Sequence, residues 1–288
     1  MQKGATFSTL SAISYAAAVV FVRYAYRAGI TPGTAIFLRF AIASAVLLLF
    51  LMLSGRWTRL PRSQATVLFL LGFLAYTTLG TTWFLALSTT PAWLVSLFVA
   101  FYPLLLSLSS WLFLGEALDR QKALALALVL SGGVALFWRP FEQTALTGIL
   151  LMLLNIVVQT AYVLIGQRWT RGVPPAVSTA WMTIGAMGGT FLYALFAGQL
   201  SLHFAAIGWA WATLFGVIST ALAIMFLWWG INLLGPTRAA IIGSLEPLFS
   251  VLLSVVVLGE TMTALQVVGG VLVIAGALLV RIRAKRPA

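Results

Sequence analysis

Cysteine is absent from the 288 residues, His203 is the only histidine and Asp119 the only aspartate. Disulfides and thiolate chemistry are thereby excluded, and Cys/His metal sites and Ser-His-Asp catalysis lack their parts. No Gly-x-x-x-x-Gly-Lys-Ser/Thr loop occurs, which excludes a built-in ATP motor of that type. The chain is expected not to be an enzyme and to need no cofactor. Charge is scarce as well: 8% of residues are charged and 62% hydrophobic, against about 25% and about 45–50% in an ordinary soluble domain.

What is present is long apolar runs. Ten can be marked, at approximately 6–28, 33–53, 65–87, 91–114, 121–138, 147–166, 176–197, 206–231, 237–258 and 263–282. Each is close to the ~20 residues that carry a helix across a ~30 Å hydrocarbon core. They are continuously apolar, not alternating, which argues for helices over a barrel. The first could be mistaken for a signal peptide, but its apolar length exceeds a signal core and Arg23 and Arg27 follow it, so an uncut first helix is expected. The expected fold is all-α: a polytopic membrane protein of ten transmembrane helices.

The net charge of +12 would suggest nucleic acid in a soluble protein. Here the basic residues fall in short connections. Lys3, Arg56, Arg59, Arg62, Arg120, Lys122, Arg168, Arg171, Arg238, Arg281, Arg283, Lys285 and Arg286 share one face, leaving Arg23, Arg27, Arg39 and Arg139 near the other. The positive-inside rule then puts both termini in the cytoplasm, and the lipid bilayer, not nucleic acid, is the partner of these charges. Trp57, Trp138, Trp169, Trp209 and Trp211 lie close to helix ends and read as interface anchors.

One sentence is written twice. "IGSLEPLFSVLLSVVVLGE" (242–260) repeats, 144 residues on, the pattern of "FVAFYPLLLSLSSWLFLGE" (98–116). The same shift pairs Gly72 with Gly216, Pro103 with Pro247, Gly115 and Glu116 with Gly259 and Glu260, and Gly132 with Gly276. Each half holds five crossings, an odd number, so the two are inverted repeats: residues 1–140, then 145–283, with a basic tail at 284–288. Inverted repeats around a central site permit alternating access.

These features resemble the drug/metabolite transporter superfamily in its ten-helix EamA-type form: two five-helix halves, an arginine early in the second helix ("FLRFAIASAVLLL"), and proline-centred fourth and ninth helices ending in Gly-Glu. Within it the chain resembles the bacterial aromatic amino acid exporters. The resemblance implies an inner-membrane exporter of amino acids or similar metabolites.

The residues themselves nominate a site. Pro103 and Pro247 stand near mid-helix, where each frees a carbonyl that only protein or a water-filled cavity can satisfy; helix break with gating, or a packing kink, are the two readings. Glu246 at bilayer centre costs at least ~2.5 kcal/mol if charged. It could bind the amino group of a substrate, carry a coupling proton, or sit neutral and hydrogen-bonded to a neighbouring helix. Its counterpart in the first half is Tyr102. Asn155, Gln159 and Tyr162 make one stripe on the sixth helix; Tyr76, Gly80 and Trp83 share a face of the third, beside Thr77 and Thr78. Ser11, Tyr15, Phe98 and Ser219 lie near mid-depth. The expected substrate cavity is Tyr76, Thr77, Trp83, Phe98, Tyr102, Gln159, Tyr162 and Glu246, aromatic with a few hydrogen-bonding groups and suited to a planar or zwitterionic small molecule; ordinary helix packing is the competing reading for each aromatic. Arg39 either snorkels to the head groups or attracts a substrate carboxylate. Gly132, Gly133, Gly269, Gly270 and Gly276 would permit close helix contact within the bundle or between protomers, leaving monomer and homodimer open. The reading is a secondary carrier of aromatic or bulky apolar amino acids, with multidrug efflux of cationic compounds and a facilitative channel as alternatives.

Overall fold

Apolar segments of this length have no water to hydrogen-bond and must satisfy their backbone internally, so they fold as helices. A computed structural model describes residues 2–90, 92–137, 146–258 and 262–282. Among the described residues there is no strand. Trp138, Arg139, Gly259, Glu260 and the basic tail at 284–288 lie outside them.

The first half runs as α1 (Gln2–Ala16) and α2 (Ala18–Arg27), joined in one span through Ala17, then α3 (Pro32–Leu53). The third span is α4 (Arg62–Leu70), a π-helical segment Leu71–Tyr76 and α5 (Thr77–Thr89); α6 (Ala92–Leu114) and α7 (Arg120–Phe137) complete the half. The second half is α8 (Leu146–Thr170), α9 (Pro175–Phe196), α10 (Ile207–Gly216), a π-helical segment Val217–Leu222, α11 (Ala223–Leu234), α12 (Pro236–Gly243), α13 (Leu245–Leu258) and α14 (Ala264–Ile282). Counted as spans, these are ten, five in each of two inverted repeats.

Local chemistry explains several boundaries. Thr31 caps α3 by accepting the Thr34 N–H, with Pro32 at the first helical position, where its missing N–H costs nothing. Asp119 Oδ1 accepts the Lys122 N–H at 2.8 Å and starts α7 in the same way. Among the described residues seven helical runs are long and apolar enough alone to cross a bilayer; α9, at 22 residues, is more polar. Its Ser178, Thr179, Thr183 and Thr190 are buried, so the polarity faces neighbouring helices and not lipid.

The repeats are welded by cross-repeat pairs: α7 on α14, α3 on α9 and α1 on α11 are the most extensive helix contacts. Small residues permit them. A Cβ on Gly132 would lie 2.7 Å from the Gly269 carbonyl oxygen, and one on Gly185 2.0 Å from that of Phe69. Gly132 and Gly269 thus serve packing within the bundle.

Candidate functional site

Between the two repeats lies a cavity of about 520 Å³. Its wall takes Ser11 and Tyr15 from α1, Tyr76 from the first π segment, Trp83 from α5, Tyr102 and Pro103 from α6, Gln159 and Tyr162 from α8, and Gly243, Ser244, Glu246, Pro247, Ser250 and Ser254 from the ninth span. Both prolines face it, as do the paired positions Tyr102 and Glu246.

The backbone differs at the two prolines. Around Pro103, α6 continues unbroken, and the Ser107 hydroxyl donates to the Pro103 carbonyl at 2.6 Å. Around Pro247 the span is divided: α12 stops at Gly243, Ser244 turns with its N–H and hydroxyl donating to the Ala240 carbonyl at 2.9 and 3.0 Å, and α13 begins at Leu245. Pro247 therefore occupies the first turn of a new helix, where a proline leaves no intrahelical bond unmade. Of the two readings of Pro247, the backbone here is divided and not merely kinked, with the division at Ser244, three residues before the proline.

That break puts Glu246 in the first turn of α13, where the amino end of the helix favours negative charge. Glu246, Gln159 and Tyr102 have no hydrogen-bond partner among the described residues. Of the three readings of Glu246, an acid hydrogen-bonded to a neighbouring helix is therefore not what is seen. Among the described residues Glu246 is the only carboxylate on the wall, and no lysine or arginine lines it.

The phenols are held by a relay. The Trp228 indole N–H donates to Tyr162 Oη at 3.0 Å, Tyr76 and Tyr162 hydroxyls lie 3.1 Å apart, and Tyr162 donates to Met182 Sδ at 3.3 Å. With Tyr76 as donor to Tyr162, all three bonds are satisfied at once. The rings of Tyr76 and Tyr162 meet edge-on at 5.1 Å, as do Tyr162 and Trp228 at 5.4 Å. Trp228 is completely buried because Gly166 makes room: a Cβ there would sit 2.1 Å from the indole.

Other expected residues lie elsewhere. Thr77 does not line the cavity; its buried hydroxyl has no partner and stands against Gly189, where a Cβ would approach it to 2.0 Å. Phe98 packs on Ala86, Val95 and Met152 instead. Asn155 shares a helix with Gln159 but spends its amide on α5, donating to the Leu79 carbonyl at 2.9 Å and Thr82 Oγ1 at 2.8 Å. Ser11, though on the wall, donates to the Ala223 carbonyl at 2.9 Å, and the Ser219 hydroxyl is buried away from it without a partner.

Arg39 neither snorkels nor lines the cavity. Its Nε donates to Thr220 Oγ1 at 3.0 Å, and its guanidinium lies 4.9 Å from the Phe40 ring centre and 4.6 Å from that of Phe215. The second π segment makes this contact: Thr220 in turn donates to the carbonyl of Phe215, five residues back, at 3.0 Å.

The sequence reading singles out Glu246 and Pro247 of the ninth span but not Gly243, Ser250 and Ser254, which line the cavity beside them; their helical spacing from Glu246 and Pro247 is the signal that could find them.

Residues 2–138 and 146–282 each match the EamA-like transporter family. An uncharacterized transporter of Bacillus subtilis, YvbV, is 26% identical over 207 residues, 70% of this chain and 67% of its own length. Another from the same organism, YdfC, is 25% identical over 260 residues, covering 86% of this chain and 81% of its own. An uncharacterized transporter of Archaeoglobus fulgidus is 26% identical over 166 residues, 58% of each chain. A crystal structure superimposes with a TM-score of 0.83 at 19% identity, over 98% of this chain and 99% of the other, a likeness of fold.

Proposed function

Because the chain belongs to the EamA-like transporter family, and so is a multi-pass membrane transporter, we propose that it is a secondary active exporter of small amine-bearing metabolites, foremost amino acids with aromatic or bulky apolar side chains. It works by alternating access in the bacterial inner membrane, with both termini in the cytoplasm. The observation that carries this reading is a carboxylate, Glu246, with no hydrogen-bond partner among the described residues, in a cavity whose wall combines tyrosines, Trp83 and serines with aliphatic side chains. An ammonium group gains a charge-assisted bond from Glu246 and the faces of Tyr15, Tyr76 and Tyr102, while an aromatic side chain gains the remaining apolar wall.

Proton coupling follows if Glu246 holds either a proton or the substrate amine but not both. Arrival of a proton from one side would then release substrate on that side. Tyr76, Trp83, Tyr102, Gln159 and Tyr162 set the shape of the binding volume, and Pro103 and Pro247 mark the helices that gate it.

A second reading has its own support. No lysine or arginine among the described lining residues offers a partner for a substrate carboxylate, so cationic aromatic amines fit the same wall. Efflux from proteoliposomes separates the two. Vesicles are loaded with labelled phenylalanine, tryptophan, their decarboxylated amines or a quaternary aromatic cation, with and without a pH gradient. Gradient-stimulated efflux of the amino acids, lost in Glu246→Gln, is the expected result. Efflux of the amines alone would establish the second reading, and no efflux of any member above protein-free vesicles would defeat both.

A further inference from the structure

At the end of the cavity marked by Pro236, the two repeats are tied through one carboxylate. Gly115 closes α6 with φ +66°, and the turn delivers Glu116 to the start of α12. Glu116 Oε1 accepts Lys122 Nζ at 2.9 Å; Oε2 accepts the Thr237 hydroxyl at 2.8 Å and the Thr237 N–H at 3.3 Å. Lys122 is buried, 6% exposed, and also donates to the Ala117 carbonyl at 2.6 Å. Gly235, with φ +83°, leaves room for the approach: a Cβ there would stand 3.1 Å from Glu116 Oε1.

The element so held is half a span. Pro236, Ala239, Ala240 and Gly243 of α12 line the cavity, and α12 ends at the Ser244 turn, where Gly243 has open space around its Cα. At the opposite end the wall reaches Phe137, the last residue of α7, and Gln266 near the start of α14. A short helix hinged at Ser244 and tethered at Thr237 has the two attachments a gate requires.

We propose that Glu116 is the latch of this gate. With Thr237 bonded to Glu116, α12 closes the Pro236 end; release of Thr237 lets α12 turn about Ser244 and open it. The latch rests on the alternating-access reading and adds to it the residue that holds one of the two states. Its worth is set by charge as well as by hydrogen bonds, since Lys122 pairs with the carboxylate and holds it in place.

The 288 residues contain no cysteine, so a single Ser250→Cys on the cavity wall reports access cleanly. Labelling with a membrane-impermeant maleimide is timed in right-side-out and inside-out vesicles. Two latch variants are compared with the parent: Thr237→Val, and Glu116→Gln combined with Lys122→Met, which removes the pair without leaving a buried orphan charge. Both are expected to label about fivefold faster or more from the Pro236 side, cytoplasmic in the proposed orientation, and more slowly from the Phe137 side. Should the double variant unfold in a thermal melt, Thr237→Val alone decides. Unchanged rates from both faces in Thr237→Val would overturn the latch. Labelling of the parent from one face only, under every substrate and pH condition, would instead overturn alternating access itself.

Discussion

Neighbouring polar residues on one helix divide into structure and site by what their atoms already hold. Asn155 and Gln159 are one turn apart on α8, yet Asn155 donates two hydrogen bonds to α5 whereas Gln159 faces the cavity with its amide uncommitted. Asn155→Leu should therefore lower stability in detergent by about 0.5–2 kcal/mol and leave substrate preference unchanged. Gln159→Leu should do the reverse, shifting preference among aromatic substrates at a near-parental melting temperature. Thermal melts beside competition assays check both. Glu246→Gln keeps shape and hydrogen-bonding capacity and removes only the charge. Transport that loses its dependence on a pH gradient is expected, and wild-type pH dependence would take Glu246 out of the mechanism. The stripe was legible in the sequence; its division was not, because spacing gives direction and not partners. Thr77 and Arg39 show the same limit, one stopped by Gly189 and the other drawn to Thr220.

Elements tell more when their two copies are compared. Pro103 and Pro247 align in sequence, but α6 continues through its proline, whereas the ninth span breaks at Ser244 and restarts. Pro247→Ala restores an amide donor where α12 and α13 could merge. It should raise thermal stability while slowing transport severalfold, because the hinge is lost; Pro103→Ala, in a helix already continuous, should change transport less. Turnover measured beside melting temperature tests the contrast, and equal effects would refute it. The π segments Leu71–Tyr76 and Val217–Leu222 occupy matching places in the third and eighth spans. One ends at Tyr76 of the cavity and the other carries Thr220 to Arg39. Hydrophobic run length does not separate a π turn from an α turn, since it is the same for both. The close approach of α9 to the first π segment depends on glycine. Gly185→Ala should cost about 1–3 kcal/mol, read as a lowered melting temperature, because its methyl group meets the Phe69 backbone.

For the whole molecule, apolar run length and the doubled motif were enough to place ten spans to within a few residues and to infer two inverted halves, because the bilayer imposes length and the duplication imposes symmetry. What they could not give is which helices cross the seam. The pairs α7 with α14, α3 with α9 and α1 with α11 arise from small-residue faces that look like any other apolar segment in one dimension. Those seams leave the cavity between the repeats, and the carboxylate of Glu246 and the broken ninth span on its wall are what a carrier needs and a static pore does not. Counterflow is the most direct test of that claim. Proteoliposomes holding an excess of unlabelled aromatic amino acid should take up external labelled substrate transiently and saturably, faster than empty vesicles do. Flux that rises linearly with concentration and gains nothing from substrate on the far side would contradict it.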